Sequence, residues 1–182
     1  MKIYLVRHGQ TDWNIQNKLQ GSVDIPLNNT GIEQAKVLKN ILKDINIDFI
    51  IASPLKRALA TAEIINSDLH LPLYIDESLK ERSFGELEGV HGGEYNRELF
   101  WDYYKNYETK NAEGIQDFFA RIFSFFDKLY EKYPDKSILI VTHNGVNIAA
   151  NCYFNGFNKD TRLLDIKLDN CNYVEYELPK ER

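Results

Sequence analysis

Short, wholly apolar runs alternate along the chain with longer stretches whose apolar residues recur at helical spacing. Ile3-Tyr4-Leu5-Val6, Phe49-Ile50-Ile51-Ala52 and Ser137 to Val141 read as strands buried on both faces, and Leu73-Tyr74-Ile75 as a shorter strand. Between them, Ile32, Ala35, Leu38, Ile41, Leu42 and Ile45 trace one helix, and Leu55, Ala58, Leu59, Ala62 and Ile65 a second. Ile115, Phe118, Phe119, Ile122, Phe126, Leu129 and Tyr130 trace a third, closed by Pro134, and a further helical run follows Gly145 to about Tyr153. Thr30 with Glu33 predicts a capping box for the first helix, and Ser53-Pro54 an N-cap with proline at the first helical position for the second. Residues 94–107 have a weaker helical pattern. The runs Ile166 to Leu168 and Asn172 to Leu178 around Asp169-Asn170 predict a hairpin or edge pair.

Strand alternating with helix predicts an α/β fold: a three-layer α/β/α sandwich around a mostly parallel sheet with an antiparallel edge strand. No repeat, low-complexity tract or linker divides the chain, so a single domain over residues 1–182 is expected.

Composition narrows the function. The net charge of -5 offers no overall basic field for nucleic acid or acidic lipid, so an anionic ligand must find local cations. Cys152 and Cys171 form no C-x-x-C pair, and neither a disulfide framework nor a metal site is expected. The first apolar run is too short for a signal peptide, and no stretch approaches a membrane span. A cytoplasmic protein without membrane or nucleic-acid partners, monomeric or homodimeric, is expected.

Chemistry gathers at the strand ends. The first strand stops at Arg7-His8-Gly9, and the strand ending at Val141 leads to Thr142-His143. The strand ending at Ala52 leads to Arg57, in the first turn of the next helix, where free N–H groups favour an anion. In a parallel sheet these ends converge on one crevice, the usual ligand site of such folds. Two imidazoles and two guanidiniums around one small volume suit phosphoryl transfer. A neutral imidazole offers a lone pair to phosphorus, its other nitrogen needing an acceptor such as a carbonyl near Gly9. Arginine forks fit the phosphoryl oxygens. The departing alkoxide needs a proton, for which Glu77, Glu81, Glu86 and Glu88 are candidates.

These residues carry a resemblance to a known family. Arg7-His8-Gly9-Gln10-Thr11-Asp12-Trp13-Asn14, with Gln20-Gly21 and Asp24-Ile25-Pro26-Leu27, resembles the opening signature of the histidine phosphatase superfamily, the phosphoglycerate mutase-like proteins. Ser53-Pro54-Leu55-Lys56-Arg57-Ala58 with Thr61-Ala62, Leu79-Lys80-Glu81-Arg82-Ser83-Phe84-Gly85 with Glu88-Gly89, and Val141-Thr142-His143 resemble its later motifs, in order. The resemblance implies His8 as phosphorylated nucleophile, Glu81 as general acid and then base, and Arg7, Arg57 and His143 around the phosphoryl group. Asn14 becomes a further phosphate contact, and Gln20 lies where the family's loop approaches substrate. It implies a phosphomonoesterase acting on a small phosphorylated metabolite without cofactor or metal.

Departures bear on which branch this is. Leu87 stands where the family often has Trp, Asn144 where Gly is usual, and Asn147-Ile148 where mutases often carry Arg. The short segment between Gly89 and Glu113 points to a phosphatase, whereas the Glu81-Arg82 pair is common in mutases. Mutase-type transfer, or a non-catalytic phosphate-binding module, are the alternatives. Taken alone, Arg57 reads as a solvated helix residue, His143 as a core histidine, Glu81 as a solvated loop acid, and His70 and His91 as loop residues. The aromatic cluster Phe100, Trp101, Tyr103, Tyr104 and Tyr107 reads as a lid over substrate or as a helix packing face, with the lid preferred.

Overall fold

The structure, a computed structural model, describes residues 1–178; residues 179–182 of the expected domain lie outside it. Its strands are β1 (Lys2–Arg7), β2 (Phe49–Ala52), β3 (Leu73–Ile75), β4 (Ser137–Thr142) and β5 (Tyr173–Glu177). They form one sheet in the order β3-β2-β4-β1-β5, parallel except for β5, which runs antiparallel along β1. This is the expected α/β sheet with its antiparallel edge.

Alternate residues of each central strand feed opposite faces, as the pleat requires. Ile3, Leu5, Ile51, Ile138 and Ile140 pack into one buried cluster with α5 (Ile115–Lys132) and α6 (Asn144–Asn155). Tyr4, Val6, Ile50, Leu139 and Val141 pack into the other with α2 (Asn29–Leu42) and α3 (Lys56–Leu69). Along α5, Phe118, Phe119 and Phe126 are fully buried, and each such side chain contributes about 1.5–3 kcal/mol. Two short helices complete the set, α1 (Asp12–Ile15) and α4 (Arg97–Phe100). No helix among the described residues is long and apolar enough to cross a membrane.

Several local expectations are corrected. Asn28, not Thr30, caps α2, accepting the Gly31 N–H at 2.9 Å, and Glu33 instead turns outward to Lys36. α3 starts at Lys56 rather than Pro54, because the chain bends at Pro54 and the backbone of its N-cap, Leu55, is extended rather than helical. Its first free N–H, from Lys56, is taken by the Asp24 carboxylate at 2.7 Å, a cap supplied from a distant loop. Ile166 to Leu168 is no strand, so there is no hairpin. β5 finds the open edge of β1, and the stretch before it folds over the strand ends instead. Only Arg97–Phe100 is helical within 94–107.

Gly9 and Gly31 matter for the site because they let two backbones touch. A Cβ at Gly9 meets the Gly31 carbonyl oxygen at 2.5 Å, and a Cβ at Gly31 meets the Gln10 carbonyl oxygen at 2.2 Å. The loop leaving β1 is thereby seated on the start of α2. Thr61 of α3 fixes it from the other side, its hydroxyl accepting the Gly9 N–H at 3.0 Å.

Candidate active site

The parallel register places the two histidines side by side. Val6 lies opposite Val141 and Arg7 opposite Thr142, so His8 and His143 leave adjacent strands at the same level. The His8 N–H extends the ladder to the Thr142 carbonyl at 2.9 Å. Strands are about 4.8 Å apart, and the two ring centroids lie 5.2 Å apart with planes at 60°. Both rings are buried.

Each imidazole has one nitrogen committed. His8 Nδ1 donates to the Gly9 carbonyl at 2.7 Å, as the strand-end reading required, which leaves Nε2 with the lone pair. His143 Nε2 bonds the Ser53 hydroxyl at 2.8 Å, while among the described residues its buried Nδ1 has no partner. Burial, then the charges of Arg57 and Arg7, hold the pKa of His8 well below 6.5. Burial, then Arg57, does the same to His143. Both are therefore neutral at physiological pH.

Arg7 and Arg57 are oriented by the loops they anchor. Arg7 donates from Nη1 to the Leu168 carbonyl at 2.7 Å. Arg57 donates to the Val23 and Gly21 carbonyls, both at 2.7 Å. Each terminal nitrogen carries a second proton, and neither Nε has a partner among the described residues. Neither guanidinium has a carboxylate within ion-pair distance among the described residues, and burial lowers the pKa of Arg57 to about 10. Unneutralised cations of this kind favour an anion between them.

Glu81 is held by its surroundings on both sides. The Thr142 hydroxyl donates to the Leu79 carbonyl at 2.9 Å, and Arg121 donates to the Ser78 and Lys80 carbonyls while pairing with Glu113. The carboxylate itself accepts the Gly145 N–H at 3.0 Å, at the N-terminus of α6, and the Arg82 N–H at 2.9 Å. Burial raises its pKa, against the pull of those N–H groups and of Arg57 and Arg7. The other candidate acids are elsewhere. Glu88 braces two loops by accepting from Ser22 and Phe84, and Glu77 pairs with Lys80.

A cleft of about 300 Å³ brings together Arg7, His8, Asn14, Gln20, Arg57 and Glu81. Asn14 spends its amide oxygen on the Thr11 N–H and hydroxyl, and its NH2 has no protein partner among the described residues. Gln20 is buried, and its Oε1 has no partner among the described residues. Trp13, Tyr95 and Trp101 form the walls, with Lys18 and Arg97 at the rim; Glu81 is the sole carboxylate in the lining. His91 does not itself line the cleft; it is bridged to Lys18 and lies 3.5 Å from the Asn17 amide, both of which do.

Sequence reasoning missed three participants. Asn170 donates to the His8 carbonyl at 2.9 Å, pinning the tail loop beneath the histidine. Asn144, noted only as a departure, accepts the Leu168 N–H at 3.1 Å from the same loop. Arg82 is wholly buried, donating to the Glu113 and Phe100 carbonyls at 2.8 and 2.6 Å with its guanidinium 4.1 Å from the Phe100 ring centroid. It faces the core rather than the cleft. The same contacts fasten the segment carrying Trp101, so the buried part of the expected lid is a fixed wall, while Tyr104 and Tyr107 are exposed.

The family model described as histidine phosphatase superfamily (branch 1) matches residues 3–182. The Bacillus subtilis protein named uncharacterized phosphatase PhoE is 40% identical, covering 95% of this chain and 89% of its own. The Escherichia coli adenosylcobalamin/alpha-ribazole phosphatase is 35% identical over 80% of this chain and 75% of its own. The solved structure of Bacillus stearothermophilus YhfR superposes with a TM-score of 0.88 at 28% identity, covering 98% of this chain and 91% of that one.

Proposed function

The chain belongs to the histidine phosphatase superfamily, branch 1, and from that premise we propose that it hydrolyses a small phosphomonoester through a phosphohistidine at His8. That the protein is a phosphoric monoester hydrolase follows from its phosphatase relatives. The covalent route and the residue roles are our reading. The observation that carries it is the committed Nδ1 of His8 beside two carboxylate-free arginines, with a protonation-prone Glu81 in the same cleft.

Binding places the phosphoryl group against Arg7, Arg57 and the Asn14 NH2, with His143 beside it. His8 Nε2 attacks phosphorus as the bond to the ester oxygen breaks, and Glu81 passes its proton to the departing alkoxide. The alcohol leaves. Glu81, now a carboxylate supported by the Gly145 and Arg82 N–H groups, takes a proton from water. The water oxygen attacks phosphorus, the phosphorus–nitrogen bond breaks, and the electron pair returns to Nε2 with release of phosphate. The arginines meet the charge on the equatorial oxygens in both steps. The cleft volume suits a small metabolite.

The test is rapid quenching with p-nitrophenyl phosphate in the presence of chelator. An acid-labile, alkali-stable phosphoenzyme absent from His8→Ala is expected, with turnover of that variant down at least ~10³-fold. Near wild-type turnover by His8→Ala refutes the covalent route.

A further inference from the structure

Ser53 occupies the place where a helix cap was expected, yet it caps nothing strongly. The β2–β4 ladder runs one residue beyond Ala52, with the Ser53 N–H bonded to the Val141 carbonyl at 3.0 Å, so the side chain emerges beside Thr142 and His143. Ser53 and His143 are both fully buried, at 0% exposure. The Ser53 oxygen receives only a long contact from the Leu55 N–H, at 3.4 Å, and lies 2.8 Å from His143 Nε2.

Donor and acceptor counting decides the direction of that bond. A hydroxyl has one proton and accepts through its lone pairs. The Leu55 N–H occupies a lone pair. Were His143 Nε2 to donate as well, the Ser53 proton would need another acceptor, and none is found among the described residues. With the hydroxyl donating to Nε2, the Ser53 proton and the Nε2 lone pair are both used, and the imidazole proton sits on Nδ1. That nitrogen is the buried atom left without a partner, on a ring packed against His8. A buried N–H needs an acceptor, and a phosphoryl oxygen on His8 supplies one. In the other tautomer a nitrogen lone pair faces the oxyanion, which is repulsive.

We propose that Ser53 is a positioning residue that fixes His143 as the Nδ1–H tautomer, so that His143 donates to the phosphoryl group. The two histidines thus use the same protonated atom for opposite ends. His8 spends its Nδ1–H on the backbone to free a nucleophilic Nε2, and His143 spends its Nε2 on Ser53 to present Nδ1–H. The inference rests on the phosphoryl reading of the cleft, but the resting tautomer is measurable without turnover.

The experiment is long-range 1H–15N correlation on the wild-type protein, with His143 assigned by the signals lost in His143→Gln. A protonated Nδ1 and a lone-pair Nε2 are expected. A proton on Nε2 overturns the proposal whatever any variant does. In Ser53→Ala the tautomers mix, kcat for p-nitrophenyl phosphate falls ~10–10²-fold and inhibition by inorganic phosphate weakens, as for loss of one preorganised donor. Ser53→Thr, which keeps the hydroxyl, restores the Nδ1–H spectrum. An unchanged kcat in Ser53→Ala, with folding intact, also overturns it. Should His8→Ala prove active, the phosphohistidine route fails while the tautomer assignment stands on its own spectrum.

Discussion

Substituting Gly145 by alanine tests the acid without touching it. A Cβ at this position stands 2.1 Å from Glu81 Oε1 and 3.0 Å from the edge of Trp101. To reach even a tight contact the carboxylate must retreat by about 1 Å, and displacements of that size cost ~10²-fold in positioned chemistry. The Gly145 N–H bond to Glu81 stretches with it; a hydrogen bond to a charged group is worth about 1.5–3 kcal/mol. Within a helix, alanine for glycine otherwise gains about 0.5–1 kcal/mol, which offsets part of the strain. The melting temperature should therefore move little while catalysis suffers. The assay compares a good leaving group, p-nitrophenyl phosphate, with glycerol 2-phosphate, whose alkoxide needs a proton. We expect kcat on the alkyl ester to fall ~10²-fold and on the aryl ester by less than about tenfold. Equal losses on both esters, or full activity on the alkyl ester, refute the assignment of Glu81.

Further outcomes follow from other contacts. Arg82→Met leaves the Phe100 and Glu113 carbonyls unpaired in the core and should lower stability by about 2–4 kcal/mol in urea unfolding. Asp24→Ala removes the cap on α3 and should cost about 0.5–2 kcal/mol, a loss that high salt screens less than it would that of an exposed ion pair alone. His8 and His143 have native pKa values depressed below 6.5, so below that pH the unfolded chain binds more protons than the native one. Stability is then full above pH ~6.5 and declines as pH falls below it, a slope that His8→Gln should reduce in pH-dependent thermal melts. Glu81, its pKa raised, should set the alkaline limb of kcat, and that limb should vanish in Glu81→Gln.

What the sequence made legible was governed by local rules. Buried strands announced themselves by unbroken apolar runs, and strand-end chemistry followed once those strands were taken as parallel. The gathering of Arg7, His8, Arg57 and His143 at the strand ends needed only that register. Capping of α3 was misread because the partners are remote: Asp24 serves Lys56, and Ser53 is claimed by His143, neither visible from spacing. The tail failed for the same reason. Leu168 and Asn170 answer to Arg7, Asn144 and His8 rather than to a hairpin partner. Arg82 was noted only as half of a pair common in mutases, and only three-dimensional packing reveals its backbone carbonyl partners.

The in-register pairing of β1 with β4 has a consequence for how the enzyme comes into being. His8, the proposed nucleophile, lies far upstream in sequence of the histidine beside it, and 162 residues before Asn170 of the loop pinned beneath it. Such long-range closures are the slow part of assembly. Catalytic competence during refolding should therefore lag behind the recovery of helical circular dichroism, which makes hydrolysis itself a reporter of the final closure.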